Sequence, residues 1–150
     1  MNIKQLKEMG IEIPSDYFKF LKMTESQKLQ AVQNGHSIQF ILNPSEKVQL
    51  AAIEQNGYSI QYIHNPSEKV QLVAVKRNGY SIQWIPNPSE KVQIAAIKQD
   101  GQSIQWIPNP SEQVQLEAVK QDKSSIKFFK AFWLNFGFIT ITEEEIESNE

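Results

Sequence analysis

Apolar positions in this chain return in the same order every 22 residues. Val48, Leu50, Ala52 and Ile53 are followed by Ile60 and Ile63, and one period later the same places hold Val70, Leu72, Ala74, Val75, Ile82 and Ile85. Four full units follow one another, at 43–64, 65–86, 87–108 and 109–130, after a shorter copy at 24–42 that lacks one residue before Gly35. At about 100° per residue, Val48, Leu50, Ala52 and Ile53 cover a broad arc of a helix, with Lys47 and Glu54 together opposite it. A unit this small cannot bury a core alone, so tandem copies must stack and share one. The pattern predicts an all-α solenoid of about five two-helix repeats over 24–130, closed by a helical cap at 1–23 and an aromatic cap with an acidic tail at 131–150.

Local signals divide each unit in two. Asn-Pro-Ser-Glu opens it, as Asn43/Pro44/Glu46, Asn65/Pro66/Glu68, Asn87/Pro88/Glu90 and Asn109/Pro110/Glu112. Asn is a good N-cap, Pro is preorganised for the first helical position, and Glu three residues later can reach back to the cap. The spacing predicts a helix over about 44–56, ended by Gly57, Gly79 and Gly101 as left-handed terminators. Ser59 is a second potential cap for one to two further turns, α or 3₁₀. At the N-terminus the reading is a helix over 2–9, a stop at Gly10 and a helix over 15–22. At the C-terminus Phe128, Phe129, Phe132, Trp133, Phe136 and Phe138 are dense enough to seal the last unit. A short strand at 139–142 and a disordered tail at 143–150 complete it.

The repeated Asn-Pro-Ser with Val and Ala at fixed offsets resembles the short helical repeats of leucine-rich variant type. Over 24–130 the unit is still more similar to uncharacterised phage and bacterial repeat proteins built on an NPSEKVQLAAVKQNG-like sequence. The resemblance implies a right-handed α-solenoid and no catalytic residues. Gln49 and its equivalents stand where the leucine-rich variant repeat has arginine.

Composition narrows the classes. The 150 residues allow one ordinary domain, and 40% are hydrophobic. No cysteine is present, so disulfides, thiolate nucleophiles and cysteine zinc sites are excluded, and a reducing compartment fits. The amphipathic N-terminus does not read as a signal peptide. The most apolar stretch, 128–141, holds Lys130 and Asn135 and is too short and polar to span a bilayer. The expectation is a cytoplasmic protein with no membrane contact and no cofactor or metal. The net charge of −2 hides an asymmetry, because Glu143, Glu144, Glu145, Glu147 and Glu150 crowd the last eight residues and leave a mildly basic body.

In a stacked chain, equivalent positions form columns. An aromatic column runs through Phe40, Tyr62, Trp84, Trp106 and Phe128. Such rings can stack on a partner or fill the gap between helix layers, and the alternation of Phe, Tyr and Trp suits partly exposed rims. Beside it run Gln39, Gln61, Gln83 and Gln105, then Lys127, placed to hydrogen-bond a ligand. A basic column is formed by Lys47, Lys69 and Lys91, with Lys76, Arg77, Lys98 and Lys120 further along, a ridge able to follow phosphates although Glu54 interrupts it. Gln49, Gln71, Gln93 and Gln115 sit within the apolar arc and must be paired, with loop backbone or with each other. His36 and His64 occupy different places in their units and form no site.

These columns predict a non-enzymatic protein that binds another macromolecule. The favoured partner is a protein, met by Phe40, Tyr62, Trp84 and Trp106 with Gln61, Gln83 and Gln105, in the manner of a small inhibitor or adaptor. The phage look-alikes imply a host protein as target. Nucleic acid bound along the lysine ridge is the alternative. A structural module, dimerising through the aromatic C-terminal segment, is the second alternative.

Overall fold

A computed structural model of the chain describes residues 22–128 together with Gly10. The expected terminal helices, the strand, the tail and the dimerising aromatic segment lie outside the described residues. Within them the protein is all-helical: five α-helices, α1 (Glu25–Gln33), α2 (Glu46–Gln55), α3 (Glu68–Arg77), α4 (Glu90–Gln99) and α5 (Glu112–Gln121), alternate with 3₁₀ helices. The latter are η1 (Ile38–Phe40), η2 (Gly57–Tyr62), η3 (Gly79–Trp84), η4 (Gly101–Trp106) and η5 (Lys123–Phe128). Each α-helix packs on the next in chain order, as does each 3₁₀ helix, which places the two kinds in two neighbouring rows.

The core is the shared surface of those rows. Val48, Ala52, Ile53, Ile60 and Ile63 are buried in one unit, and Val70, Ala74, Val75, Ile82 and Ile85 in the next. Leu50, Leu72 and Ile94 are only half-buried and pack against the core rather than within it.

The caps differ from the sequence reading in an instructive way. Serine, not asparagine, is the N-cap. The hydroxyls of Ser45, Ser67, Ser89 and Ser111 each accept a 3.4 Å hydrogen bond from the amide of Val48, Val70, Val92 and Val114. The asparagines lie outside the helix in the left-handed region, with φ of 46° at Asn43, 49° at Asn65 and 50° at Asn87 and Asn109. Asparagine enters that region more readily than any residue except glycine, so it turns the chain from one unit into the next. The first helical residue is therefore glutamate, too early to fold back on the cap. The reciprocal capping box occurs only in the divergent first unit, where Thr24 and Gln27 exchange bonds of 2.9 and 3.3 Å.

The glutamate instead reaches forward. The Glu46 carboxylate accepts 2.7 Å from the Ser67 hydroxyl and 3.0 Å from Lys69, both in the next unit. Ser111 donates to Glu90 at 2.7 Å, and Ser45 to Glu25. The caps at Ser45, Ser67 and Ser111 are thereby held from behind by the preceding helix.

The glycines also work differently. Gly57, Gly79 and Gly101 are not left-handed; a positive φ occurs only at Gly10 and Gly35 among the described glycines. They are glycine because the next unit leaves no room. A Cβ on Gly79 would stand 2.5 Å from Ser103 Oγ and 2.7 Å from both Ala96 O and Gln99 Oε1. On Gly101 it would meet the Asp122 Cβ at 2.8 Å, and on Gly57 the Ala74 carbonyl at 3.2 Å. The close approach carries its own hydrogen bonds: Gly79 N donates to Gln99 Oε1 at 2.6 Å, and Ser125 Oγ to Gly101 O at 3.1 Å. The second helix is capped not by Ser59 but by the residue before the glycine. Asn56 and Asn78 accept from the amide two residues on at 3.0 Å, and Asp100 and Asp122 do so at 2.9 Å.

The inner glutamines are paired with loop backbone, one of the two arrangements expected. Gln49, Gln71, Gln93 and Gln115 each donate 2.9 Å from Nε2 to the carbonyl of Pro44, Pro66, Pro88 and Pro110, five residues earlier. The bond ties each helix to the loop that delivers it.

Two substitutions test this packing. Gly79→Ala is expected to lower stability by about 1–3 kcal/mol by forcing η3 away from α4, and Gly57→Ala by less, because its contacts are longer. Gln71→Leu leaves the Pro66 carbonyl without its donor and is expected to cost about 1–3 kcal/mol despite the added apolar surface. Thermal denaturation followed by circular dichroism checks both; an unchanged or raised Tm for Gln71→Leu would show that the carbonyl does not need its partner.

Candidate functional surface

The 3₁₀ row presents the aromatic column to solvent. Phe40, Tyr62, Trp84, Trp106 and Phe128 close η1 to η5 in turn, and their exposure runs from 37% at Phe128 to 54% at Phe40. The reading in which they fill the gap between helix layers does not hold: Ile60, Ile82 and Ile104, two residues earlier, occupy that interior. The cause is the three-residue turn of the 3₁₀ helix, which turns position i+2 away from the face that position i buries. Ile63, Ile85 and Ile107 then return inward, so Tyr62, Trp84 and Trp106 each stand between two buried isoleucines.

The flanking glutamines are partly committed. Gln83 Nε2 donates to Tyr80 O and Gln105 Nε2 to Gln102 O, each at 3.0 Å, which fixes both amides against their own 3₁₀ helices. Gln61 and Gln39 are exposed on the same row. Lys127, in the equivalent place of the last unit, lies over the Phe128 ring at 5.0 Å.

At the first two units the surface deepens into an open cleft of about 470 Å³. Phe40 and Tyr62 line it, with Ile41, Leu42, Pro44 and His64 among its other walls. Leu42 is an exposed apolar side chain that the column analysis did not single out. It occupies the place held by His64, Pro86 and Pro108 in later units, and that divergence was the signal available in the sequence. His36 contacts the Ala31 carbonyl through Nδ1 at 3.1 Å, far along the chain from His64. Among the described residues no group of three or more His, Asp or Glu is arranged to hold a metal.

The basic residues lie on the α-helices, and acids compensate several of them. Lys69 pairs with Glu46 and Lys91 with Glu68 at 3.0 Å, and Lys98 with Glu117 at 3.7 Å. Arg77 donates to the Gln55 carbonyl at 3.5 Å. Lys47, Lys76 and Lys120 are exposed. What reads in sequence as a cationic ridge is therefore, at Lys69 and Lys91, half of an alternating ladder between units. Such exposed pairs contribute little energy, but they cancel local charge.

That ladder has a pH signature. Hydrogen bonds from Ser67 and then Lys69 hold the Glu46 carboxyl below its ordinary 4.5. Hydrogen bonds from Gln102 and Ser124 lower Asp122 below 3.8 in the same way. A carboxyl whose value falls on folding stabilises the fold above its unfolded value, and the contribution disappears as pH falls through the folded one. Tm is therefore expected to drop between about pH 6 and about pH 3, and Glu46→Gln to show a smaller drop that converges with the wild type in acid. Parallel curves for the two proteins would remove Glu46 from the effect.

No helix among the described residues is long and apolar enough to cross a membrane. Comparison of the chain with protein-family models, with curated proteins and with solved structures yields no match.

Proposed function

We propose that the chain is a non-enzymatic binding protein whose contact surface is the aromatic row of its 3₁₀ helices, and that its partner is a protein. One observation carries this reading: five rings at equivalent positions of successively packed helices, all at least a third exposed. A protein that holds large apolar rings in water at every unit spends solubility on them, and contiguous exposed apolar surface marks interaction sites. Tryptophan and tyrosine are also the side chains that most often dominate interface energy. The stacking of unit on unit supports an α-solenoid as the architecture, of five units in the register of the sequence repeat. Such an architecture presents one long surface rather than a pocket, which suits an inhibitor or adaptor. A phage origin and a host target rest on the sequence resemblance alone. The lysine ridge is the weaker reading, because Lys69, Lys91 and Lys98 already face carboxylates.

Capture from a nuclease-treated bacterial lysate on the immobilised full chain tests the proposal. The wild type is expected to retain a stoichiometric protein, and Trp84→Ala and Trp106→Ala each to weaken its binding by about 2 kcal/mol or roughly 30-fold, with unchanged helicity. Equal capture by the tryptophan variants would move the site elsewhere. In a parallel capture without nuclease, nucleic acid retained by the wild type and lost on Lys69→Glu and Lys91→Glu, with no protein retained after nuclease, would overturn the reading in favour of the ridge.

A further inference from the structure

The aromatic row differs from the rest of the surface in charge as well as in exposure. Segments 57–66, 79–88 and 101–110, which hold η2 to η4 and the loops after them, contain no Asp, Glu, Lys or Arg. The charges of those three units lie on the α-helices or, for Asp100, in a cap; only at η5 do cations, Lys123 and Lys127, enter the row. The row is lined instead by rings, by amides (Gln61, Gln83, Gln105, with Asn65 and Asn87 in the loops) and by prolines. From η2 to η4 the row has no cation and gives a polyanion nothing to exchange for its counterions, so RNA fits it poorly there. An uncharged, extended chain fits it well.

The spacing narrows the choice. Helices packed side by side lie about 8–10 Å apart, so successive rings recur at about that interval. A polyproline II helix rises about 3.1 Å per residue with three residues per turn, so it presents the same face about every 9 Å. Its backbone makes no internal hydrogen bonds, which leaves carbonyls free to accept. The row supplies exposed side chains with donors, in the indole N–H of Trp84 and Trp106 and the phenol of Tyr62. The cleft lined by Phe40 and Tyr62 mixes apolar walls, Leu42 and Pro44, with polar ones, Gln39 and Asn43, a combination that can meet both a proline ring and its carbonyl.

We propose that the aromatic row binds proline-rich segments in the polyproline II conformation, one turn of ligand per unit. The inference rests on the aromatic-face reading above and deepens it. It specifies a partner that is extended, low in charge and rich in proline, held by ring stacking and carbonyl acceptors rather than by ion pairs.

A twelve-residue polyproline peptide is the probe, titrated into the full chain and followed by tryptophan fluorescence and calorimetry, beside a glycine-serine peptide of equal length. Polyproline is expected to bind with a Kd below about 1 mM. Trp84→Ala and Trp106→Ala should each weaken it at least about tenfold, and Lys69→Glu/Lys91→Glu less than about twofold. The Kd should hold within about twofold from about 0.05 to about 0.5 M salt. Absence of polyproline binding overturns the proposal, as does equal binding of the glycine-serine peptide or binding indifferent to both tryptophans. Two further arms separate this failure from failure of the surface itself. If oligouridylate or a neutral oligosaccharide binds in a tryptophan-dependent way where polyproline does not, the aromatic row stands as a binding surface and the proline-rich ligand is wrong. If none binds and lysate capture ignores the tryptophans, both readings fall.

Discussion

Everything in this structure depends on how closely one unit can approach the next. At Gly57, Gly79 and Gly101 the end of the following α-helix presses so near the Cα that a methyl group would meet a backbone carbonyl at 3.2, 2.7 and 3.3 Å. That contact brings the 3₁₀ rows together and drives Ile60, Ile82 and Ile104 under the preceding helices, where they are at most 2% exposed. It also buries Ser81, Ser103 and Ser125, whose small side chains fit beside the glycine backbone. A larger residue at either place would separate the rows, and the polar cross-links between units would lose their reach. These include Gly79 with Gln99 at 2.6 Å and Ser67 with Glu46 at 2.7 Å. Packing at a backbone surface tolerates little change in volume, so two small residues per unit set the geometry for the remaining twenty.

The same letters were legible in the sequence, but not always for the right reason. The 22-residue period gives helix number, order and core directly, because burial follows apolar periodicity. The α-helices end within a residue or two of the expected places. The cap assignment failed at Asn43 and its equivalents because Asn-Pro-Ser offers two competent caps in three residues, and propensity cannot rank them. What decides is the left-handed turn that the chain must make between units, which asparagine tolerates and serine does not. The glycines show the opposite confusion. Gly35 is left-handed, with φ +85° and open space around it, whereas Gly57 is not left-handed and is hemmed in by α3 and η3. In a sequence both read as Asn-Gly after a helix. Only the contact across units, at a separation of about 20 residues, distinguishes them.

The aromatic surface was half legible. Alternation among Phe, Tyr and Trp at one position marks a place where volume is not fixed, which is a surface property. The committed state of Gln83 and Gln105 was not visible, because it follows from the 3₁₀ form of the second helix. A tighter helix brings the carbonyl three residues back within reach of the amide. The pairing of the lysines was not visible for a related reason. A wheel drawn on one helix puts Lys69 and Lys76 on the same outer face, but does not show that Glu46 of the preceding unit stands opposite Lys69, or Glu68 opposite Lys91.

These features divide the molecule's surface by chemistry. Up to η4, charge lies on the α row and its caps, where Glu46 serves both the cap and the lysine of the next unit, Glu90 the next cap and Glu68 the next lysine, and so they contribute to register rather than to recognition. The 3₁₀ row carries no part of that ladder. Its rings are held out by alternation with buried isoleucines, and two of its amides, Gln83 and Gln105, are anchored to their own backbone at 3.0 Å. A side chain fixed by its own helix loses less entropy when a ligand arrives. Divergence among the units follows the same division. Glu46, Glu68, Glu90 and Glu112 do not vary, nor do the serines before them, whereas position 22 of the unit changes from Leu42 to His64 to Pro86. Lys123 stands exposed where the three preceding units have a buried glycine, so the close approach that sets the spacing of η2 to η4 is written in those glycines and not in η5.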